Sequence, residues 1–348
     1  MSRQKKKTPD WLKTVKRFVR KKKMATAGLI FLFFLLLVAI FADVIAPYPM
    51  VNGAMQINIL HKQEAPFLLL SAEERATAWA NGDVFWLGTD NLGYDILTYL
   101  IYGCRTSVVI CIAVTVISTL ISIIIGTTSA VIGGWFDLIV QRFVDAWTCI
   151  PGILMTVLMM SMFGNGIVQM ILVMGIPAGI SGSRMVRATA ISVKDSGYVK
   201  MAEMLGSGTY WKSIRHVLPN ILPVIITQSM GGLSGTIMME ASMNYLGFGV
   251  DVGTPSWGYM VTNQGRANMY SAPWICLFPG IMITLMVLAA NMFGDGLRDF
   301  MDPRLQNGVG TYSTSKIERL SRRYLKKQAK RERRRAARAK PAAGQTTP

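Results

Sequence analysis

Six apolar blocks constrain this chain more than any other feature: Met24 to Ala46, Ser107 to Ile132, Phe143 to Phe163, Ile167 to Gly182, Leu222 to Met243 and Trp274 to Phe293. A helix needs about 20 apolar residues to cross a hydrocarbon core about 30 Å thick, and most of these blocks reach that length. With 51% hydrophobic and 16% charged residues, the chain has too little charge to cover itself with water. Inside hydrocarbon only helices and closed barrels satisfy their own backbone, and blocks of this length are helical in kind. The expected fold is an all-α membrane protein with six transmembrane helices.

The basic residues predict its orientation. Residues 1–23 hold 11 Lys and Arg against Asp10 alone, and residues 315–348 hold 13 against Glu318 and Glu332. The positive-inside rule puts both ends in the cytoplasm, which an even number of spans requires. The segment between spans four and five carries Arg184, Arg187, Lys194, Lys200, Lys212 and Arg215 against Asp195 and Glu203, so it is predicted inside as well. The segment from Tyr48 to Gly103 holds Lys62 and Arg75 against six acids and is predicted outside. The expected organisation is a basic arm at 1–23, a first span at 24–47, an external loop at 48–106, a five-span core at 107–305 with an inner loop at 187–221, and a basic tail at 306–348. The first span is read as a retained anchor, because Asp43, Pro47 and Tyr48 stand where a signal peptidase would need small residues. Ser315 to Lys340 could be helical; a solvated tail is the first reading of such a charge run, membrane lipid the next, and nucleic acid is not expected because stacking aromatics are nearly absent.

Within this apolar chain, Tyr198 to Pro223 is polar and basic and too interrupted to span. The spacing predicts a helix from Tyr198 to Leu205 with Val199, Ala202 and Leu205 on one face, closed by a left-handed cap at Gly206. Thr209 is expected to cap a second helix that stops at Pro219, which has no N–H. Two short helices of this kind can lie on the membrane surface and be gripped by a soluble partner. Ala202 and Gly206 would let the partner approach closely, with Val199, Leu205 and Leu218 as apolar anchors; the alternative is a hairpin that only stabilises the surface.

Enzymatic chemistry has little support. No G-x-x-x-x-G-K-[ST] run is present to cradle a nucleotide's phosphates. His61 and His216 have no neighbouring set for a triad or metal site, and the four cysteines, without CxxC spacing, are expected to be packing residues with no metal site. The oxygen-rich run Gly88, Thr89, Asp90, Asn91, Leu92, Gly93, Tyr94, Asp95 lacks EF-hand spacing and reads as a turn capping a helix over Tyr94 to Tyr102. That helix either receives an external partner or packs on the bundle. Trp257 is expected to anchor at the headgroup level.

Glu240 lies inside span five, where an unpaired charge costs about 3 kcal/mol. Either it holds an outer gate or lines a path, with Ser242 and Gly235 nearby, or it is an interfacial residue bonded to adjacent helix ends and loop backbone. Gly231, Gly232 and Gly235 suit close helix packing or passage of a substrate, packing being the safer reading. Asp145 is expected to pair with Arg142, and Pro151-Gly152 to kink span three.

Three passages together resemble a known family. Tyr198-Val199, Ala202, Leu205-Gly206 and His216-Val217-Leu218-Pro219-Asn220 are similar to the cytoplasmic EAA loop of binding-protein-dependent ABC importer permeases. Trp86 to Gly93 with Asp95-Ile96-Leu97 resembles the external LGTDxxGRD signature, and Glu240-Ala241-Ser242, Tyr245 to Gly249 and Thr254 to Gly258 resemble EASLSFLGLG and TPSWG. Order and spacing agree over roughly residues 24–305, and the arrangement resembles the C-type permease of dipeptide and oligopeptide systems. Lys200 and Met201 replace the Glu and first Ala of the EAA pattern, and Tyr94 replaces an Arg. The resemblance implies a type I ABC importer permease-like fold in a bacterial inner membrane. It also implies a homologous permease partner, two ABC ATPases that hold ATP and Mg and grip the 198–223 loop, and an external substrate-binding protein for peptides. Nickel and glutathione systems share these motifs. A scaffold or sensor acting through the basic tails is the reading from another class.

Overall fold

The computed structural model describes residues 18–51, 55–58, 60–251, 253–265, 268–301 and 328. The basic arm up to residue 17 and the predicted helix at Ser315 to Lys340, apart from Gln328, lie outside the described residues. Two compact units divide the chain at Arg298 and Asp299. The second is described only at its first three residues and at Gln328; the first carries the helical bundle.

Among the described residues the α-helical segments, in chain order, are α1 (Lys23–Ile40), α2 (Ala42–Ile45), α3 (Ala72–Asn81), α4 (Ile96–Ile132), α5 (Gly134–Thr148), α6 (Gly152–Phe163), α7 (Ile167–Lys194), α8 (Gly197–Met204), α9 (Thr209–Trp211), α10 (Leu218–Tyr245), α11 (Trp257–Tyr259) and α12 (Trp274–Met301). Among the described residues there is no β-strand; Thr89 and Asp95 form one isolated bridge. Helices α1, α4, α7, α10 with the turn before it, and α12 are long and apolar enough to cross a membrane, and α5 with α6 makes a sixth candidate if the pair is one span.

That pair bears out the kink expected at Pro151-Gly152 in the span from Phe143 to Phe163, as a full break between two helices. The two halves meet at 84° across Cys149, Ile150 and Pro151. Pro151 is extended, with ψ 127°, and a residue in that conformation cannot continue α5. The loop preceding span two also ends earlier than expected. Asp95 caps α4 by accepting from the Thr98 N–H at 2.8 Å, so the helix expected at Tyr94 to Tyr102 is the first part of a continuous rod of 37 residues. At 1.5 Å per residue that rod is about 55 Å long, well beyond a bilayer core. Its first turns are buried at Ile96, Leu100 and Ile101, which favours packing on the bundle.

Helices α4 and α7 form the most intimate pair, and glycine makes it possible. A Cβ on Gly126 would stand 2.7 Å from the Ser183 carbonyl oxygen, and one on Gly179 would stand 2.6 Å from Ile121 Cβ. Gly28 of α1 brings that helix against the Ala289 carbonyl of α12 in the same way. Small residues are the means by which helices in lipid gain van der Waals contact, since the hydrophobic effect gives them no reason to associate there. Close packing through glycine, expected at Gly231, Gly232 and Gly235, is found here at Gly28, Gly126 and Gly179.

Candidate functional site

The 198–223 segment begins as expected and then departs. Helix α8 ends in a Schellman motif: the Ser207 N–H donates to the Ala202 carbonyl at 3.1 Å, the Gly206 N–H to the Glu203 carbonyl at 2.9 Å, and Gly206 has φ +89°. Thr209 is not a cap; Gly208 occupies the N-cap position, with no side-chain bond. Nor does the helix stop at Pro219. Lys212–Val217 forms a π turn in which the Leu218 N–H reaches back five residues to Ser213, and the chain runs on as α10 through Pro219 and Pro223. A π turn accommodates a residue that cannot supply the α-helical bond, which removes the obstacle proline was expected to present.

The face of α8 is also different. Val199 is fully buried, while Leu205 is 84% exposed and Met204 86% exposed, so the two are not on one anchored face. Val199 is held inward, and Tyr198, Met201, Met204 and Leu205 present an apolar rim outward, with Ala202 partly covered between them. Lys212 Nζ, almost fully buried, pairs with Glu203 Oε1 at 3.0 Å and ties the π turn to α8. Lys200, at the position where the resembled motif carries Glu, faces Asp195 at 3.8 Å across an exposed surface, where such pairs contribute little. Val217 and Ile221 join Val186 and Ala190 of α7 and Ala130 and Val131 of α4 in one buried cluster. Leu218 packs on that cluster, and His216 stands in the last turn before it.

From this base α10 rises to a glycine-rich wall. Gly232 and Gly235, with Trp147, Met155, Met174 and Met239, border a cavity of about 490 Å³ between the bent pair, α7 and α10. Among the described residues a Cβ on Gly232 or Gly235 would meet nothing within 4 Å, so close packing is not their role there. The Gly231 backbone N, by contrast, lies 3.2 Å from where a Cβ on Gly294 of α12 would stand, and there two helices do approach closely. A second chamber of about 190 Å³, lined by hydroxyls such as Ser118 and Thr119 and by Gln228, shares Gly232 and Thr236 with the first.

Above the cavity, α10 carries Glu240, 1% exposed. Its Oε2 accepts from Ser107 Oγ of α4 at 3.2 Å and its Oε1 from Asn244 Nδ2 at 2.6 Å. Asn244 Oδ1 in turn accepts from the Val250 N–H at 3.0 Å. Gly166 donates its N–H to the Gly249 carbonyl, and Asn165 Nδ2 donates to Gly247 O, so the α6–α7 turn is fastened to the same loop. Met160, Met170, Met174 and Met243 belong to one buried cluster, and Met174 also borders the cavity. Ser242 takes no part; its Oγ bonds back to the Met238 carbonyl of its own helix.

Trp257 is the clearest correction at this end. It is 1% exposed, donates from Nε1 to the Leu100 carbonyl at 2.9 Å and lies over Gly103, which makes it a core residue and not a headgroup anchor. The Gly88 to Asp95 run is the expected turn: Asp90 Oδ1 accepts from the Leu92 and Tyr94 N–H groups, and Gly88 and Gly93 have φ of +81° and +91°. Thr89 Oγ1 donates to the His61 carbonyl and accepts from the Glu64 N–H, joining this turn to the preceding stretch of loop. Burial raises the pKa of Asp95, against the bonds it accepts from Thr98.

Several partners were not legible from the motifs. His61, for which no triad or metal-site partners were expected, has two carboxylates beside it: Glu64 at 2.7 Å on Nδ1 and Asp83 at 3.4 Å on Nε2. The bond from Glu64 raises its pKa, against a smaller effect of burial. Asp145 pairs with Arg142 as expected, but also with Arg184 of α7 at 2.7 Å. Asp137 of α5 and Arg187 of α7 form an ion pair at 2.5 Å. The signal for Asp145 was general: a charge inside an apolar block needs a partner on a neighbouring helix. Cys104 and Cys111 are buried as expected, whereas Cys149 is exposed at the break after α5.

A bundle of long apolar helices around an uncharged cavity, joined by one continuous helix to an exposed surface segment, defines a multi-span permease. Residues 118–307 match the family described as binding-protein-dependent transport system inner membrane component, and residues 11–66 match the N-terminal TM domain of oligopeptide transport permease C. The chain belongs to this permease family, and to its peptide-type branch. It is 30% identical over 301 residues to the glutathione transport system permease protein GsiD of Pectobacterium atrosepticum, covering 85% of this chain and 92% of that one. It is 31% identical to the dipeptide transport system permease protein DppC of Alkalihalophilus pseudofirmus, over 85% of this chain and 91% of the relative. The corresponding protein of Haemophilus influenzae is 32% identical over 83% and 93%.

Proposed function

We propose that this chain is one permease subunit of an ATP-driven importer of short peptides, with both termini and the 198–223 segment in the cytoplasm. The relatives are named for dipeptide and glutathione transport, and a short peptide backbone is the chemistry common to both names. A homologous permease completes the path, a substrate-binding protein delivers cargo to the outer face, and two ABC ATPases, which hold the ATP and Mg, supply the energy.

The observation that carries this reading is the continuity of the 198–245 region. The apolar rim of Tyr198, Met201, Met204 and Leu205 is the surface an ATPase groove would cover, and Ala202 and Gly206 leave room for its approach. Val199 and the Lys212–Glu203 pair lock that surface to the π turn, which runs without a break into the helix that borders the cavity. A push on α8 is thereby delivered to α10. Glu240 and its bonded neighbours are assigned to the outer gate, because they join α4, α10 and the α6–α7 turn above the cavity.

The test is uptake of a labelled dipeptide by cells carrying the full complex, with ATPase recovery on the tagged chain as the second reading. Met204→Asp and Gly206→Trp are expected to abolish uptake and to release the ATPase while the protein still reaches the membrane. Removal of residues 315–348 is expected to leave uptake in place. The opposite order of sensitivity would support the scaffold reading and reject this one.

A further inference from the structure

Among the described residues, those lining the cavity between α6, α7 and α10 include no Asp, Glu, Lys, Arg or His. Its volume of about 490 Å³ falls in the range of small-ligand pockets, which run from roughly 300 to 1,000 Å³. Of the hydroxyls on its wall, those of the threonines are already committed as donors: Thr148 to the Val144 carbonyl, Thr156 to the Gly152 carbonyl and Thr236 to the Gly232 carbonyl. A hydroxyl has one hydrogen to give, so none of these three can offer one to a carboxylate without losing its present bond. The remaining hydroxyl, Ser181, is neutral and cannot balance a charge. Arg184, which is not a lining residue, donates to Thr148 and shares Asp145 with Arg142.

We propose that this chamber is a side-chain subsite for the cargo, which accepts uncharged side chains of a passing peptide and rejects charged ones. It rests on the importer reading and adds to it the class of side chain this subunit handles. A carboxylate or ammonium entering the chamber would leave water without finding a counter-charge among the residues that line it, the costliest way to bury a polar group. Apolar groups of different shape are admitted because Met155, Met174 and Met239 are unbranched and polarizable and fill irregular gaps. Gly232 and Gly235 leave the remaining space open on the α10 side.

The test is the ratio of uptake of Ala-Phe-Ala, Ala-Glu-Ala, Ala-Lys-Ala and Ala-Ala-Ala by the full complex in membrane vesicles, with the binding protein held constant. Met239→Lys is expected to raise the Ala-Glu-Ala to Ala-Lys-Ala ratio about tenfold and Met239→Glu to lower it about tenfold, a difference of about 1.4 kcal/mol in each direction. Gly235→Met, which adds no charge, is expected to lower the Ala-Phe-Ala to Ala-Ala-Ala ratio by a similar factor, and it keeps the proposal open to refutation if a charged variant fails to insert. Ratios equal to those of the unaltered chain in the variants that reach the membrane would overturn the subsite. If the unaltered complex carries none of the four peptides, the importer reading itself fails.

Discussion

Glycine is used in opposite ways on two helices of this protein. On α4 and α7, Gly126 and Gly179 stand where any side chain would strike the facing helix. On α10, Gly232 and Gly235 border the cavity, and a side chain there would meet nothing within 4 Å among the described residues. The first group lets two rods touch; the second keeps a space empty. In one dimension the two groups look alike, because small residues in an apolar helix signal close approach without saying whether what approaches is another helix or a passing molecule. The difference is set by which face of the rod each glycine occupies.

The largest expected effect tests the contact group. Gly126→Val places a branched side chain against the Ser183 carbonyl and the Arg187 N–H of α7, and backbone cannot step aside as a flexible side chain would. Overpacking of this kind costs about 3 kcal/mol, and the purified chain should unfold earlier in a denaturant titration in mild detergent. Unchanged unfolding would mean that α4 and α7 are not held together at this point. Next comes a third use of the residue, in the loop before α4. Gly88 combines φ +81° with a Glu64 carbonyl oxygen 2.5 Å from where its Cβ would be. Gly88→Ala is expected to cost about 2 kcal/mol through strain, seen as faster proteolysis between residues 58 and 93.

The space group should respond with the opposite sign. Alanine is favoured over glycine in a helix by about 0.8–1.0 kcal/mol, and nothing in this chain opposes it at Gly235. Gly235→Ala should therefore leave unfolding unchanged or slightly later, and a loss as large as that of Gly126→Val would erase the distinction between the two helices. The smallest effect concerns the loop that Gly88 helps to shape. Glu64 raises the pKa of His61 above its ordinary 6.5, so protonated His61 favours the folded loop. That contribution is complete below about pH 6.5 and fades as pH rises through the raised value. Protection of amides in the His61 to Asp83 region, taken as exchange rates corrected for the intrinsic rise with pH, should fall as pH rises above about 6.5, and His61→Gln should remove that fall; protection that does not change with pH in the unaltered chain would show that the two carboxylates do not act on His61 as a cation.

The architecture was legible because apolar length is a one-dimensional property. The blocks at 24–46, 167–182 and 274–293 each lie within or mostly within one helix. The cap at Gly206 was legible for a similar reason, since a left-handed residue after a short periodic run is a local event. Legibility failed where the answer depended on a neighbour. Leu205 fits the Val199 face by spacing, yet the helix ends at Met204, one residue before Leu205 could be carried inward. Pro219 reads as a stop only while the register is assumed to be α. Trp257 looks amphipathic until the Leu100 carbonyl is found waiting for its N–H. Glu240 was marked as costly, but Ser107, far away in sequence, had to be seen before its cost could be understood.

The π turn at Lys212–Val217 has a geometric consequence of its own. An α-helix turns by about 100° per residue, so one residue more or less in this stretch rotates everything before it about the axis of everything after it. Deleting a single residue there, and so restoring the α register, would swing Met201 and Met204 about a quarter turn around α10 without altering any side chain on either. The azimuth at which the outward methionines face their surroundings is thus indexed to the glycine wall by six residues of chain.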